Sequence, residues 1–165
     1  MAITQGQTTT FKEELLLGGH DFSTSGASAG AFAVSLHNVS SNTFDGSITQ
    51  YVSTDEVASS GDPANNGYVA GGYSANQALT VNTAPTNGGS GTTVFTSFAD
   101  KTFTAVSFTA NCGLIYNNSP AGNASSRTNP SVGIMDFGGA KVVSNGDFTL
   151  QFPAAAASTA IIRIA

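Results

Sequence analysis

Two histidines and one cysteine are the residues of this sequence best suited to nucleophilic or metal chemistry. His20 precedes Asp21, His37 lies inside a predicted strand, and Cys112 sits in an apolar stretch. A catalytic nucleophile needs a base that a third group orients, and a structural zinc needs several Cys and His residues at converging spacings. Neither pattern is present. We therefore expect a turn hydrogen bond at His20, a strand-face position for His37 and a buried, inert thiol at Cys112.

The acidic residues give weaker signals. Asp55 and Glu56, followed by Asp62, are the strongest hint of calcium binding, but the spaced acids and central glycine of a helix–loop–helix calcium site are missing. Acids that pair for glycoside hydrolysis are recognised only by geometry, and the chain has ten acids and no Trp to stack on a sugar. We expect no enzyme, metal or cofactor, and a glycan hydrolase remains the alternative.

Charge and hydropathy exclude two classes of partner. The net charge of -5 comes from ten acids and five bases without a basic cluster, so we expect no direct binding of nucleic acid. No apolar stretch approaches the roughly 18 residues of a membrane span, and the first residues lack the basic and apolar regions of a signal peptide. We therefore expect no membrane partner.

Length and composition predict one all-β domain. The chain has 165 residues, of which 40% are hydrophobic and 9% charged, with 19 glycines. Such a balance favours short strands and many turns over exposed helices. We predict a single β-sandwich or jelly-roll domain over 1–165, in which 1–22 form an N-terminal arm and a short helix.

The short helix is predicted from a capping box. Thr10 is followed three residues later by Glu13, and Gly18-Gly19 supplies the left-handed stop after a body at 11–17. We expect Glu13 and Glu14 on the polar side together with Lys12. The other side is apolar, and a helix of under three turns must dock it on something else.

Alternation and β-branched residues predict nine strands, at 31–39, 47–53, 78–82, 92–98, 102–110, 113–116, 132–137, 147–152 and 160–164. Within 102–110 the apolar phase changes near Ala105 and Val106. A bulge there would keep both Phe103 and Phe108 inward. The doublet Gly138-Gly139 predicts a turn or a bulge rather than a phosphate loop.

Several segments together resemble a family of small virion structural proteins of tailed bacteriophages, some of which are capsid cement or decoration proteins. The segments are FKEELLLGGHDF at 11–22, STDEV at 53–57 leading to GYVAGG at 67–72, FAD at 98–100 leading to LIYN at 114–117, and MDFGG at 135–139 through IIRIA at 161–165. Between Ser23 and Asn42 the chain departs from the usual pattern. The resemblance implies a non-enzymatic, β-rich virion component that is present in many copies.

Capsid decoration is the location we expect. The partners would then be the outer surface of the major capsid protein shell and copies of this chain, as dimers or trimers, after synthesis in the host cytoplasm. The alternative is a tail or receptor-contact module that binds through its long Asn- and Gly-rich loops. The apolar ends either anchor a partner or complete the domain's own core. The candidate anchoring residues are Phe11, Leu15, Leu16, Ile161, Ile162 and Ile164.

Overall fold

The computed structural model describes residues 2–24, 31–89, 91–119 and 127–165. It confirms an all-β domain with one short N-terminal helix. The elements in chain order are β1 (Ala2–Ile3), β2 (Gly6–Gln7), α1 (Thr9–Leu16), β3 (Phe32–His37), β4 (Thr43–Phe44), β5 (Val81–Asn87), β6 (Val94–Phe98), β7 (Lys101–Asn117), β8 (Ser131–Leu150) and β9 (Ile162–Ile164), with 3-10 turns at Pro63–Asn65 and Ala75–Gln77. Of the stretch that departs from the virion-protein pattern, 25–30 lie outside the described residues.

One antiparallel sheet forms the centre of the molecule. Its strand order is β2-β8-β7-β3. β7 and β8 pair from Lys101 opposite Leu150 to Tyr116 opposite Ser131, which makes this the longest ladder among the described strands. β3 pairs with the far edge of β7, from Phe32 opposite Asn117 to His37 opposite Cys112. The short strands β2 and β3 thus pair with the outer edges of the two long strands, β8 and β7.

The central sheet buries both of its faces. Successive residues of a strand point to opposite faces, and accordingly Ile115 belongs to one apolar cluster whereas Leu114 belongs to the other. The three-stranded sheet β5-β6-β9 covers the first face, and β4, paired in parallel with β1, covers the second through Phe44. The two larger sheets form a sandwich, and the β1-β4 pair covers the remaining face of the central sheet.

Aromatic side chains fill the first cluster. The Phe32 ring is buried and stacks on Phe22 with the ring centroids 4.3 Å apart, and Phe98 lies 5.5 Å from Phe32. These rings join β3, the segment after α1 and β6. Burial of one such side chain contributes about 1.5–3 kcal/mol to folding.

The N-cap of α1 differs from the prediction. Thr8, not Thr10, caps the helix, because its Oγ1 accepts a hydrogen bond from the Phe11 N–H at 3.2 Å. The same hydroxyl donates to the Ser131 carbonyl of β8 at 3.0 Å. Because Thr8 bonds to the central sheet as well as to the helix, the N-cap lies at Thr8, two residues before the Thr10 that the capping box predicts.

The C-terminal stop of α1 is as predicted. Gly18 has a φ of 76°, in the left-handed region that favours glycine. The Gly18 N–H donates to the Leu15 carbonyl at 3.1 Å and the Gly19 N–H donates to the Glu14 carbonyl at 2.7 Å. These two bonds form a Schellman motif, which satisfies carbonyls that the helix leaves unpaired.

The polar and apolar sides of α1 were predicted wrongly. Glu14 is fully buried, whereas Leu16 is 91% exposed. The buried side carries Thr10, Phe11 and Glu14, which follow helical spacing. Glu14 tolerates burial because Arg127 and His20 lie next to its carboxylate. Leu16 consequently points away from the core.

Several predicted strands merge or disappear. The pairs 102–110 with 113–116 and 132–137 with 147–152 are single strands, β7 and β8, that continue through irregular register. The segment 47–53 forms no strand, because its backbone bonds are isolated ones, such as that from the Tyr51 N–H to the Asn129 carbonyl at 2.8 Å. β1, β2 and β4, at two residues each, are too short to show a periodic pattern.

The predicted bulge in β7 is confirmed. Ala105 has a φ of 51°, and the register with β8 shifts between Phe103 and Val106. Phe103 is buried in the first cluster and Phe108 packs against it, as the phase change requires. Gly138 and Gly139 lie in β8 at another register shift, between the pairs Ala110–Lys141 and Cys112–Asp136, and both have positive φ.

We predict that Phe32→Ala lowers the free energy of unfolding by about 3–5 kcal/mol, because it leaves a cavity in the aromatic cluster. The matched control is Val142→Thr, at a side chain that is 76% exposed on β8. It should change the free energy by less than about 0.5 kcal/mol. Urea titration followed by tyrosine fluorescence measures both values, and equal effects would contradict the assignment of Phe32 to the core.

Candidate functional site

The two ends of the chain meet at one side of the molecule. β2 pairs with β8, and β9 pairs with β6, so that α1 and β9 are brought side by side. The Gln7 Nε2 donates to the Arg163 carbonyl at 2.9 Å, across 156 residues of sequence. Two adjoining depressions result, and they share Gln7, Lys12 and Arg163 in their walls.

The first depression, which we call the end groove, lies between α1 and β9 and has a volume of about 320 Å³. Its rim carries two of the exposed large apolar side chains of the described chain, Leu16 at 91% and Ile164 at 48% exposure. The groove is lined by Gln7, Phe11, Lys12, Leu15, Leu16, Arg163, Ile164 and Ala165.

The second depression, which we call the edge cleft, lies between β2 and the C-terminal segment and also has a volume of about 320 Å³. Its floor is apolar, with Val132 and Met135 of β8 and Ile115 of β7. Its opposite wall consists of Pro153 and residues 159–163. The two depressions form one surface, and we refer to their walls together as the end surface.

All six predicted anchoring residues line the end surface. Phe11, Leu15, Leu16 and Ile164 line the end groove, whereas Ile161 and Ile162 line the edge cleft. Anchoring of a partner by these residues stays a prediction.

Their burial divides the six into three grades. Phe11 and Ile162 are buried in the core, and Leu15 and Ile161 pack against it half-buried. Leu16 and Ile164 are exposed. Leu17, 59% exposed beyond the helix end, was missed as a candidate although it extends the same apolar run. The alternative that the apolar ends complete the domain's own core therefore holds for Phe11, Leu15, Ile161 and Ile162.

Positive charge borders the end surface. Lys12 and Arg163 line both depressions, and no Asp or Glu side chain is among the residues that line them in the described part of the chain. The Arg163 Nη1 donates to the Ser158 carbonyl, which fixes the guanidinium beside the edge cleft. Two of the five bases of a chain with a net charge of -5 are thus close together.

His20 does not form the predicted turn bond. Asp21 instead accepts from the Ser23 N–H at 2.8 Å. The His20 ring is buried, and its Nδ1 accepts from the Asn117 side-chain amide at 3.1 Å, so its proton is on Nε2, 3.3 Å from Glu14 Oε2. Arg127, 3.3 Å from Glu14 Oε1, offsets the charge of that carboxylate. Burial then dominates and lowers the pKa of His20 to about 4.

His37 and Ser35 form a pair that resembles a nucleophile and its base. The His37 Nδ1–H donates to the Thr54 carbonyl at 3.0 Å, which leaves Nε2 to accept from the Ser35 hydroxyl at 2.8 Å. The spacing is that of an activated serine. Both side chains are fully buried, and neither lines the end groove or the edge cleft. Burial lowers the pKa of His37, and in this position the pair acts as a structural hydrogen bond.

The three acids considered for calcium do not converge. Glu56 accepts from the Tyr51 and Tyr68 hydroxyls at 2.6 and 2.7 Å and from the Gly71 N–H at 3.1 Å. Asp62 caps the first 3-10 turn. Within the described residues, no group of three or more His, Cys, Asp or Glu side chains is arranged to hold a metal ion.

The tyrosines around Glu56 are held protonated. Burial, and then the neighbouring carboxylate, raise the pKa of Tyr51 and of Tyr68 far above its usual value. The Tyr68 hydroxyl also accepts from the Leu36 N–H of β3 at 2.9 Å. Glu56 therefore connects the loops at 51–71 to the central sheet through three neutral donors of the protein itself.

Cys112 occupies the predicted buried position. Its side chain lies in the second apolar cluster next to Leu114 and Ile134. Burial, with Asp136 and Asp55 as smaller contributions, raises the pKa of the thiol to about 12. The thiolate, which is the reactive form, is therefore negligible at neutral pH.

Comparisons with known proteins give no relative: no protein-family model, no curated protein and no solved structure matches this chain. In the part of the chain that the structure describes, no helix has the length and apolar character needed to cross a membrane.

We predict that acid destabilises the protein between about pH 6.5 and pH 4. In this window the unfolded chain protonates His20 and the folded chain does not, so stability falls as the pH falls, by at most about 3 kcal/mol for this residue. Urea titrations at pH 7, 6, 5 and 4 measure the slope. His20→Gln should give a shallower slope than the parent, and an unchanged slope would rule out His20 as its source.

We also predict that a fluorophosphonate probe, which labels activated serines, forms no adduct with Ser35 in the folded protein. The physical reason is the complete burial of both Ser35 and His37. Intact-mass spectrometry measures the labelling, with Ser35→Ala as the matched control. An adduct that is lost in that variant would show a reactive serine and would favour a hydrolase.

Proposed function

We propose that this protein is a non-enzymatic structural component of a tailed-bacteriophage virion, and that it binds as a cement protein to the outer surface of the major capsid protein shell. One observation carries the proposal: Leu16 and Ile164, from opposite ends of the chain, are exposed on the rim of the same groove. An apolar surface of this kind favours a protein partner over water.

The burial of reactive groups supports a role without catalysis. The serine–histidine pair, the cysteine and the Glu56 network are all used within the domain. An enzyme would need such groups at a depression that a substrate can enter. The depressions of the end surface are lined instead by apolar side chains, backbone, two cations and the neutral polar side chains of Gln5, Gln7 and Thr159.

The resemblance of the sequence segments to phage virion proteins supports a role in the virion. Two of those segments, 11–22 and 161–165, supply most of the end groove. A chain in which only 9% of residues are charged also permits many copies to pack densely, because repulsion between them is weak. We infer that contacts between copies on the shell use surfaces other than the end surface.

The mechanism is stabilisation by mass action. The protein binds assembled shells and not dissociated subunits, so each bound copy adds its binding free energy to the stability of the assembly. Burial of an exposed Leu or Ile side chain contributes about 1.5–3 kcal/mol. Modest contacts repeated over many copies then oppose the pressure of packaged DNA.

We predict that Leu16→Glu and Ile164→Glu each weaken binding to undecorated shells at least about tenfold, because each places a charge in an apolar contact. Val142→Glu, at an apolar position on β8 whose exposure lies between those of Leu16 and Ile164, is the matched control and should bind like the parent. Cosedimentation with purified shells measures the affinity, and thermal denaturation checks that each variant is folded.

Copy number separates the cement role from the alternative. Cryo-electron microscopy of particles that carry the protein should show copies across the whole shell, bridging capsid subunits. A few copies at a single vertex would contradict the cement role and would favour the tail or receptor-contact module. Loss of binding in Val142→Glu but not in Leu16→Glu would move the contact surface away from the end surface.

A further inference from the structure

Two cations are shared by the end groove and the edge cleft. The side chains of Lys12 and Arg163 line both depressions, and both residues are exposed. They come from opposite ends of the chain, which the bond from the Gln7 amide to the Arg163 carbonyl, at 2.9 Å, holds together. Two positive charges therefore lie where the two depressions adjoin.

These cations have no acidic partner within the described chain. The two acids of α1 are taken by Arg127, whose Nη1 lies 3.2 Å from Glu13 Oε2 and 3.3 Å from Glu14 Oε1. None of the described ion pairs includes Lys12 or Arg163. No Asp or Glu side chain is among the described residues that line either depression. The end surface is thus positive on a chain whose net charge is -5.

The guanidinium of Arg163 is held in place before a partner binds. Its Nη1 donates to the Ser158 carbonyl. A guanidinium carries five N–H donors in a planar fork that fits both oxygens of a carboxylate. Donors remain for a partner once Ser158 has accepted from one of them, and a side chain that is already fixed loses less entropy on binding.

Apolar side chains adjoin the two cations. Leu16 and Ile164 are exposed on the rim of the end groove, and Phe11 and Leu15 line it. A partner that covers these side chains also removes water from the cations beside them. Loss of hydration is unfavourable for a charge that gains no partner, whereas exclusion of water strengthens its attraction to an opposite charge. A partner that supplies a carboxylate next to an apolar group is therefore favoured over one that is apolar alone.

Two other occupants fit this surface less well. Nucleic acid is bound through many phosphates, and two cations are too few for it. A two-fold contact in which two copies join through the same surface would bring like charges together, which is unfavourable. An acidic, apolar segment of a different protein meets neither obstacle.

We propose that the end surface selects an acidic, apolar segment of the shell protein, with an apolar side chain in the end groove and an adjacent carboxylate bound to Lys12 and Arg163. The shell protein as the source of the segment rests on the proposed cement function. The need for a carboxylate beside an apolar group rests on the charges and the lining of the two depressions.

Small amphiphiles test this need on the full-length protein without a shell. The probe is hexanoate, which joins an apolar tail to a carboxylate, and the matched controls are hexanol and hexylammonium. We expect hexanoate to shift the backbone amide NMR signals of Leu16 and Ile164 saturably, with an affinity at least about threefold above that of either control. Equal affinities for the three compounds, or no shift at these residues, would overturn the proposal.

Variants locate the carboxylate. Lys12→Gln and Arg163→Gln should each weaken hexanoate binding about two- to fivefold and leave hexanol binding unchanged, because each removes one positive charge. Lys141→Gln, at an exposed lysine of β8 outside both depressions, is the control and should have no effect. Hexanoate affinities that are the same in the parent and in both end-surface variants would contradict the assignment of the contact.

Cosedimentation with undecorated shells separates this proposal from the proposed function. Lys12→Glu and Arg163→Glu should each weaken shell binding at least about tenfold, because each places a negative charge opposite the carboxylate. Binding that Leu16→Glu weakens and Arg163→Glu does not would overturn the acidic contact and leave the cement role intact. Selective hexanoate binding without any binding to shells would overturn the cement role, and with it the shell protein as the source of the segment.

Sedimentation velocity of the free protein tests a second copy as the source of the carboxylate. We expect the parent to show no self-association that depends on Lys12 or Arg163. Self-association that Arg163→Glu abolishes, and that Lys141→Glu leaves unchanged, would assign the carboxylate to a neighbouring copy and overturn the shell protein as the partner. Thermal denaturation checks that each variant is folded.

Discussion

The pairing of β7 with β8 is the constraint on which the rest of the structure depends. These strands of 17 and 20 residues form the middle of the central sheet, and β3 and β2 pair with their outer edges. Both apolar clusters take side chains from β7 at alternate positions, such as Ile115 and Leu114. Even the N-cap of α1 is bound to the first residue of β8. Local elements of two or three residues, which would be unstable alone, are held because this ladder provides an edge or a face for each.

Polar groups inside the domain attach loops to this frame instead of facing a substrate. Glu56 connects two tyrosines and a backbone amide, and Tyr68 passes the connection on to β3. His37 connects β3 to Thr54. His20, Asn117 and Glu14 connect α1 to the end of β7. These buried groups therefore bond within the domain and stabilise its fold, whereas the end surface presents apolar side chains, polar side chains such as Gln7, and two cations.

The sequence predicted features that are set by neighbouring residues. The Gly18 stop, the bulge at Ala105 and the burial of Cys112 all follow from local spacing or residue type, and they are present. Predictions from the sequence were wrong where a contact with a residue distant in sequence determines the local structure. Thr8 replaces Thr10 as the cap because Ser131 lies beside it, and Glu14 is buried because Arg127 and His20 are within reach. The six candidate anchors could be named from their apolar character, but their meeting at one surface depends on the pairing of β2 with β8 and of β9 with β6. No periodic pattern encodes those pairings in strands of two and three residues.

The outer edge of β8 has a consequence for colloidal behaviour. β2 covers this edge only at Gly133 and Ile134, and among the described strands none pairs with the long remainder. A straight edge of that length would be a template for fibril growth. The glycine pair at 138 and 139 and the left-handed Asn145 break its regularity, and Lys141 adds a charge to it. Such irregularities make the edge a poor template for pairing with another chain, which disfavours polymerisation through the sheets.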